Sequence, residues 1–464
     1  MKKYMLILLA IAGLFAACRK VEVDGPSNPQ PPGETGVLEG KISSDVTLKS
    51  GKTYKLKGIV YVMKGTTLTI EPGTRIEGVK DASTRGTLVI TRGAKIMAEG
   101  TKEKPIVFTS ELPTPVSGDW GGLVILGDAP TNASFNGKQG EGAVEGGVNN
   151  AEGLGLYGGS DANSNSGILK YVRVEYAGYA YLPDNELNGI TLAGVGKGTV
   201  VEYVQVYHSN DDGIECFGGT VDLKHILINS TLDDDFDTDN GWSGKAQFVI
   251  IMRDSAKADI SKSESLESDN DANGSTLIPQ TSGVFSNLTV IGPRATLQNK
   301  GNSLYKAAVQ IRRNSSVSIF NSVFMGYGTG LLIDASKGTP TDINIQSGKL
   351  AVQNSVIAGA ELAVEYAVSS SSPTGWNNNA ALDWFLEATN ANKVFTTNDE
   401  VKLKDPFNYE NPDFTPMSGS PLLSGASFIS GKLNDMQNVT FKGAVGASGT
   451  TDGDWWKGWT NLKM

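Results

Sequence analysis

The sequence predicts an all-β protein: a single right-handed parallel β-helix, or solenoid, with long loop insertions and a C-terminal cap. Three observations lead to this prediction. A segment with alternating apolar residues, Thr67–Ile76, recurs in the same form as Thr87–Ile96. Six later segments share a second pattern. Charged residues are only 19% of the 464-residue chain and glycine is abundant at 56, which suits one elongated, turn-rich β body.

The early repeat has the features of one solenoid coil. In each copy the apolar residues alternate, which indicates short strands, and a glycine, Gly73 or Gly93, marks the corner. The two copies begin 20 residues apart, and a fixed period of about 20 residues is typical of stacked coils. The first part of the body is therefore expected to wind from residue 37 as regular coils.

The second pattern places a polar or aromatic residue at the third position of each segment. The segments begin at Leu169, Val201, Leu223, Phe285, Ile319 and Val352. Their third positions are Tyr171, Tyr203, His225, Asn287, Asn321 and Asn354. Stacked coil on coil, these side chains would form a ladder that bonds turn backbone or its own members. The pattern thus predicts a ladder role for His225, and not a catalytic one.

Irregular spacing between these segments predicts insertions, and function often lies in such loops. The two largest are expected at Gly127–Gly167 and Ser255–Ser282. A short helix is expected at Ala380–Thr389. The aromatic run Trp455–Trp459 would cap the open end of the solenoid, so that the β-helix with its cap spans residues 37–464.

Residues 1–17 have the pattern of a lipoprotein signal peptide. Lys2 and Lys3 precede the apolar stretch Met5–Phe15, which is too short to span a bilayer. The following residues up to Cys18 resemble a bacterial lipobox, whose cysteine is acylated and becomes the mature N-terminus. Residues 18–36 would then be a flexible tether. The alternative is an ordinary secretory signal with a chance cysteine.

Cysteine content and charge narrow the class of protein further. With Cys18 lipidated, only Cys216 remains, which excludes an intramolecular disulfide and predicts a small buried residue. The formal charge of -10 argues against nucleic acid as a partner. A neutral sugar, a peptide or a cation fits this charge better.

Several strings resemble one protein family. The early strings are Leu68–Thr74, Pro105–Ser110 and Gly118–Gly122. The later strings are Asp211–Glu215, Asp235–Phe236, Gly241–Lys245 and Gly458–Thr460. Together they are similar to a family of large bacterial surface lipoproteins with a pectin-lyase-like β-helix. The resemblance implies a lipid-anchored protein of the outer membrane, on the cell surface, but it implies no reaction, because fold alone does not fix function.

Two neighbouring units predict an acidic corner. When the units are aligned on Tyr203 and His225, Asp211 falls on Asp233. By the same alignment, Asp212 and Glu215 fall on Asp234 and Asp237. On successive coils these pairs would lie roughly 5 Å apart at the backbone.

Carboxylates this close need protons or a cation, and Ca²⁺ is the simplest answer because it takes six to eight oxygen ligands. The candidate ligands are Asn210, Asp211, Asp212, Glu215, Asp233, Asp234, Asp235, Asp237 and Asp239. The absence of Cys/His clusters argues against zinc. Solvated turns, and a catalytic role, remain the alternatives.

The favoured function is a non-catalytic surface protein that captures a glycan or peptide, working beside an outer-membrane importer, with a structural calcium site. Candidate ligand-binding residues are Trp120, Trp242, Arg312 and Arg313. Further aromatic residues that could stack on sugars are Tyr157, Tyr179, Tyr181 and Trp376. Each aromatic could equally cover the hydrophobic core.

Two other classes stay open. The first is a calcium-dependent polysaccharide lyase or a glycoside hydrolase. For a lyase, the candidate bases are Arg253, Arg312, Arg313 and Lys245. For a hydrolase, the candidate acid and base are Asp211, Asp212 and Asp234. The second is a structural or adhesive surface protein.

Overall fold

The structure is a computed structural model and describes residues 36–81, 84–182 and 185–464. The predicted signal peptide, Cys18 and the tether as far as residue 35 lie outside the described residues. Most strands belong to one 26-stranded sheet with parallel pairing, wound into a solenoid. The predicted right-handed parallel β-helix is confirmed.

The strands follow in chain order. They begin with β1 (Val37–Ile42), β2 (Val46–Leu48), β3 (Thr53–Val62), β4 (Thr67–Ile70), β5 (Arg75–Gly78), β6 (Thr87–Ile90), β7 (Lys95–Glu99), β8 (Ile106–Ser110), β9 (Gly122–Leu126), β10 (Ser134–Phe135), β11 (Lys138–Gln139), β12 (Gly142–Ala143) and β13 (Leu156–Tyr157). They continue with β14 (Gly167–Glu175), β15 (Ala180–Leu182), β16 (Asn185–Glu186), β17 (Ile190–Ala193), β18 (Val200–Tyr207), β19 (Ile214–Phe217), β20 (Leu223–Asn229), β21 (Phe236–Asp239), β22 (Lys245–Met252), β23 (Leu266–Ser268) and β24 (Val284–Ile291). They end with β25 (Ala307–Arg312), β26 (Ser318–Phe320), β27 (Val323–Met325), β28 (Thr329–Asp334), β29 (Val352–Gln353), β30 (Val356–Ala358), β31 (Leu362–Ala367), β32 (Lys393–Phe395), β33 (Leu403–Asp405) and β34 (Asp413–Pro416).

Helices are short in the described residues. The α-helices are α1 (Asp342–Gln346), α2 (Asn378–Leu386) and α3 (Thr451–Asp454). Two 3-10 helices span Asn398–Val401 and Gly431–Leu433. The helix predicted at 380–389 is α2, which begins slightly earlier, because the side chain of Asn377 accepts hydrogen bonds from the backbone of Asn379 and Ala380.

One face of the solenoid positions the candidate site and is named the acidic face below. Its strands stack in the order β6, β9, β17, β19, β21, β23, β25, β28 and β31. Inward residues such as Ile214, Phe236 and Leu266 are fully buried and lie in register on successive coils. Outward residues therefore form columns on the surface of this face, because side chains alternate along a strand.

The predicted ladder is confirmed at a corner of the coils. All six residues adopt left-handed backbone conformations, with φ between 49° and 59°. Asn tolerates this conformation, whereas aromatic residues adopt it only at a cost. Stacking offsets that cost, since the ring of His225 lies 4.4 Å from Tyr203 and 5.1 Å from Phe248. Phe248 is an additional ladder member on β22, a coil missed in the sequence because phenylalanine breaks the polar pattern.

The Trp-rich terminus packs along the flank of the solenoid. Trp459 lies 5.5 Å from the Tyr171 ring, and Trp455 lies 5.1 Å from His225. The end of the core is instead covered by α2, whose Ala381 and Phe385 are fully buried. Both segments bury apolar area that an open solenoid would expose.

Candidate metal centre

The alignment of two units that predicted the acidic corner is confirmed by the strand register. Strands β19 and β21 pair so that Glu215 lies beside Asp237. In the preceding turns, the backbone N–H of Asp234 donates to the Asp212 carboxylate at 2.9 Å. The N–H of Gly213 donates to the Asp234 carbonyl oxygen at 2.9 Å. The two turns are thus laid directly over each other.

A third coil extends the corner. Asp237 is in register with Glu267 on β23. The N–H of Glu264 donates to the Asp234 carboxylate at 2.6 Å. The same interaction thus links each pair of neighbouring coils: a backbone N–H of the later coil donates to an aspartate carboxylate of the earlier coil.

Eight side chains form what is called here the acidic cluster. They fall into three groups, in each of which one oxygen per carboxylate lies within 4.8 Å of the others. The groups are Asp211, Asp212 and Asp233; Asp212, Glu215 and Asp237; and Asp234, Glu264 and Glu267. These clustered carboxylates could hold a metal ion.

Burial and mutual repulsion disfavour the charged forms of these carboxylates. Burial, then the Asp237 and Glu145 carboxylates, raise the pKa of Glu215 well above its ordinary value. Burial raises the pKa of Asp233 to about 7. For Asp237, burial and then Asp269 raise the pKa to about 7. A metal-free cluster would therefore hold protons near neutral pH.

Within the described part of the chain, basic side chains form ion pairs with the third-coil carboxylates of the acidic cluster. Lys306 Nζ lies 3.9 Å from Glu264, and Arg312 contacts Glu267. Among the described residues, no ion pair with Lys or Arg forms at Asp211, Asp212 or Glu215. The carboxylates of the first coil thus lack an internal counter-cation.

Residues 40–405 match the family described as pectate-lyase-like beta helix domain. The chain belongs to this family. The match covers well over half of the sequence and agrees with the parallel sheet. A search of curated proteins and a search of solved structures gave no match. In the described residues, no helix is both long and apolar enough to cross a membrane.

This β-helix does not bring every predicted ligand to the cluster. Asp235 is buried on the inside, where its carboxylate lies 3.1 Å from Arg253 Nη1. Asn210 lines a separate cavity. Asp239 lies on the same face, but it falls in none of the three groups. The predicted ligand set is corrected at Asp235, which faces inward to Arg253, whereas a ligand role for Asn210 and Asp239 stays a prediction.

The expectation that Trp120 and Trp242 form exposed ligand platforms is wrong. Both side chains are fully buried inside the β-helix. The indole N–H of Trp120 donates to the Glu175 carbonyl oxygen at 2.7 Å. A Cβ atom on Gly78 would lie 2.3 Å from Trp120, and one on Gly283 would lie 2.0 Å from Trp242. These glycines make room for core tryptophans.

Arg312 and Arg313 do lie beside the cluster, but they are occupied. Arg312 Nε donates to Asp269 at 2.9 Å, and Arg313 Nη1 donates to the other Asp269 oxygen at 2.7 Å. Each is therefore part of the charge balance of the third coil. A ligand that bound them would compete with Asp269.

Glu264 and Glu267 were missed as ligands because the sequence analysis assigned them to a loop insertion, Ser255–Ser282. That segment instead contains strand β23, which pairs with β21 and belongs to the third coil of the acidic face. A signal was available, because an alignment that places Glu264 on Asp234 also places Glu267 on Asp237. The third coil is longer than the second, and this change of spacing concealed the match.

Two inserted hairpins flank the acidic cluster. The Glu186 carboxylate on β16 raises the pKa of Asp211, after burial and Asp233. Tyr181, on the paired strand β15, is 50% exposed. The N–H of Gly146, beside β12, donates to the Asn185 side chain at 2.6 Å and joins the two hairpins. Together they form a rim that carries the exposed Tyr181 ring on the same hairpin as Glu186.

Proposed function

We propose that this protein is a non-catalytic, calcium-dependent carbohydrate-binding protein anchored by lipid to the bacterial outer membrane, on the cell surface. The observation that carries the proposal is the acidic cluster, in which three groups of carboxylates stack on successive coils and the first coil has no internal counter-cation. A cation that enters from solvent would remove the repulsion. It would also leave coordination sites for a ligand.

The oxygen ligands support a hard divalent cation, and we propose calcium. Two oxygens that each lie about 2.4 Å from one Ca²⁺ are at most about 4.8 Å apart, and Ca²⁺ takes six to eight oxygen ligands in flexible geometry. The closest carboxylate oxygens within each group meet this limit. Mg²⁺ demands shorter distances and a stricter octahedron. Remaining coordination positions would be filled by water or by sugar hydroxyl groups.

The rim supports carbohydrate as the ligand. An exposed tyrosine ring offers a flat apolar face on which a sugar ring can stack while its hydroxyl groups meet polar neighbours. Tyr181 is such a ring, on the hairpin whose Glu186 interacts with Asp211 of the acidic cluster. It takes the place of the buried Trp120 and Trp242 in the proposed site.

A lyase role has less support because its candidate bases are engaged in other contacts. Arg253 is fully buried against Asp235. Lys245 contacts the Asn434 carbonyl oxygen in the C-terminal segment. Burial opposes ionisation of Arg312, but the Glu267 and Asp269 carboxylates outweigh it and raise its pKa. A guanidinium held protonated in this way is a poor general base.

The membrane anchor rests on sequence alone. Cys18 follows a signal-like apolar stretch and would carry the lipid. The tether would place the β-helix away from the membrane, where it could pass glycans or peptides to an outer-membrane importer. Cys18→Ser should move the protein from the membrane to the soluble fraction, and retention in the membrane would contradict the anchor.

Calcium should raise the thermal stability of the purified protein. At a calcium concentration one hundred times Kd, binding adds about 2.7 kcal/mol to the free energy of unfolding. Asp233→Asn combined with Asp234→Asn should remove this gain, as measured by scanning calorimetry with calcium and with chelator. The matched control is Asp383→Asn with Glu387→Gln, two exposed positions at α2. Equal melting curves with and without chelator would contradict the metal site.

A glycan array with purified protein, probed with calcium and with chelator, tests the ligand. We expect binding that requires calcium and weakens in Tyr181→Ala. That variant should keep its stability, because an exposed substitution changes it by less than about 0.5 kcal/mol. Release of shortened or unsaturated products from bound glycans would instead favour the enzyme.

A further inference from the structure

A cavity lies next to the acidic cluster and has different chemistry. Its volume is about 600 Å³, within the range of about 300 to 1,000 Å³ that is typical of small-molecule sites. Asn210 lines this cavity, whereas the next two residues, Asp211 and Asp212, belong to the acidic cluster. The turn between β18 and β19 therefore separates two differently charged surfaces.

The wall of the cavity is a preformed aromatic surface. The ring of Tyr176 stacks on the imidazole of His208 at 5.3 Å, and Tyr207 meets that imidazole edge-on at 4.2 Å. Tyr176 and His208 both adopt left-handed backbone conformations, with φ of 61° and 57°. They follow the paired ends of β14 and β18. Rings fixed on adjacent coils need little reorganisation to receive a ligand.

One ammonium group enters this apolar surrounding. Lys257 Nζ donates to His208 Nδ1 at 2.6 Å, and the Asp254 carboxylate lies 3.9 Å from the same ammonium. Burial, then the charge of Lys257, lower the pKa of His208 to about 4, so the imidazole is neutral at pH 7 and accepts this bond. An ammonium has three N–H donors, and His208 takes one.

We propose that this cavity binds a carboxylate carried on an apolar body, which accepts hydrogen bonds from Lys257 while its body lies against Tyr176 and Val116. Val116 is 53% exposed and lines the same cavity. The other lysine of the lining, Lys463, is paired with Glu410 at 3.0 Å, whereas the Asp254 carboxylate lies 3.9 Å from the Lys257 ammonium, so a ligand that carries one negative charge suits the cavity better than one that carries two. A phosphate dianion would meet stronger repulsion from the neighbouring acidic cluster. The source is either a free carboxylic acid or the C-terminus of a peptide.

Titration calorimetry at neutral pH tests the proposal with defined probes. The first pair is 3-phenylpropionate and its primary amide. The second pair is N-acetyl-leucyl-phenylalanine and its C-terminal amide. We expect the acid of at least one pair to bind and its amide to bind at least tenfold more weakly; the pair that binds tighter identifies the source. Equal affinity of acid and amide, or no binding of either acid at millimolar concentration, would overturn the proposal.

Variants separate the role of the charge from that of the cavity. Lys257→Met should weaken acid binding at least tenfold, and Val116→Trp should weaken it comparably by filling the mouth while the charge stays in place. Lys262→Met, an exposed position in the same loop, should bind as the unchanged protein does. Wild-type affinity in folded Lys257→Met would overturn the proposal, and Val116→Trp provides the second test if Lys257→Met does not fold.

This inference does not rest on the calcium site. Binding of the acid should persist in chelator and in the variant with Asp233→Asn and Asp234→Asn. In chelator, repulsion from the charged cluster carboxylates should weaken the binding at most severalfold. A failure of the calcium proposal would therefore leave this result unchanged. Loss of acid binding whenever calcium is removed would overturn the assignment of a separate site.

Discussion

Three consecutive aspartates, Asp233 to Asp235, lie in two different electrostatic environments. Asp235 faces the interior, where Arg253 lies 3.1 Å away and the hydroxyl groups of Thr231 and Ser265 donate at 2.6 and 2.9 Å. Asp234 faces the acidic cluster, where its neighbours are other carboxylates. One carboxylate is thus compensated within the fold, and the other is not.

The pKa values reflect this difference. Both carboxylates are buried, and burial raises both pKa values. For Asp235, the Arg253 charge and three hydrogen bonds oppose burial, and its pKa is raised only to about 6. For Asp234, Glu267 and Glu264 add to burial, and its pKa lies well above the ordinary value. Among the described residues, the β-helix therefore pairs a cation directly with Asp235 but none directly with Asp234.

The strongest test of this comparison removes the internal cation. Arg253→Met should lower the free energy of unfolding by about 3 to 5 kcal/mol, because it leaves Asp235 buried without a counter-charge. Denaturant titration measures the loss. Lys49→Met, which breaks the exposed pair with Glu71, should leave the free energy of unfolding nearly unchanged.

A second substitution distinguishes the lost charge from lost packing. Asp235→Asn added to Arg253→Met removes the unpaired charge and should restore part of the stability. No recovery in the double variant would mean that the guanidinium acts mainly by filling space, and the comparison between the two aspartates would fail.

A smaller loss of stability is expected when the cation at the border of the acidic cluster, Arg312, is removed. Arg312→Met leaves Glu267 without its partner and Asp269 with Arg313 alone, and should cost about 2 kcal/mol, less than Arg253→Met because Arg312 is partly exposed. Calcium should then stabilise this variant more than it stabilises the unchanged protein. Arg75→Met, at the exposed pair with Glu77, is the matched control, and an equal calcium response in all three proteins would contradict the prediction.

The smallest effect expected is a pH dependence of the metal-free protein. Folded-state pKa values of about 7 at Asp233 and Asp237 exceed the ordinary value of 3.8. The folded state therefore binds more protons than the unfolded state between these pH values, and stability falls as pH rises through 7. Between pH 6 and 8 the loss should be on the order of 1 kcal/mol per group.

Denaturant titrations at these two pH values in chelator measure that loss. Saturating calcium should reduce it, because calcium takes the place of the protons. In the variant with Asp233→Asn and Asp237→Asn the loss should be smaller by the share of these two groups, and the rest should come from the cluster carboxylates whose pKa is raised further. A rise in stability between pH 6 and 8 in chelator would contradict the proposed repulsion.

The sequence by itself determined the coil architecture and the core of the acidic cluster. Alternating apolar residues, corner glycines and the ladder positions are local patterns that repeat with each coil. Because successive coils stack in register, the alignment of two units on Tyr203 and His225 was enough to place Glu215 beside Asp237, as the pairing of β19 with β21 does.

Only the tertiary structure decided which way each turn residue points and what each charge meets. Nothing in the run Asp233 to Asp235 indicates that Asp235 turns inward to Arg253, since that depends on how the turn closes over the next coil. The sequence likewise could not place Trp120 inside the core, opposite the space left by Gly78. Periodicity fixes which residues share a column, but burial and ion pairing depend on contacts between segments far apart in the chain.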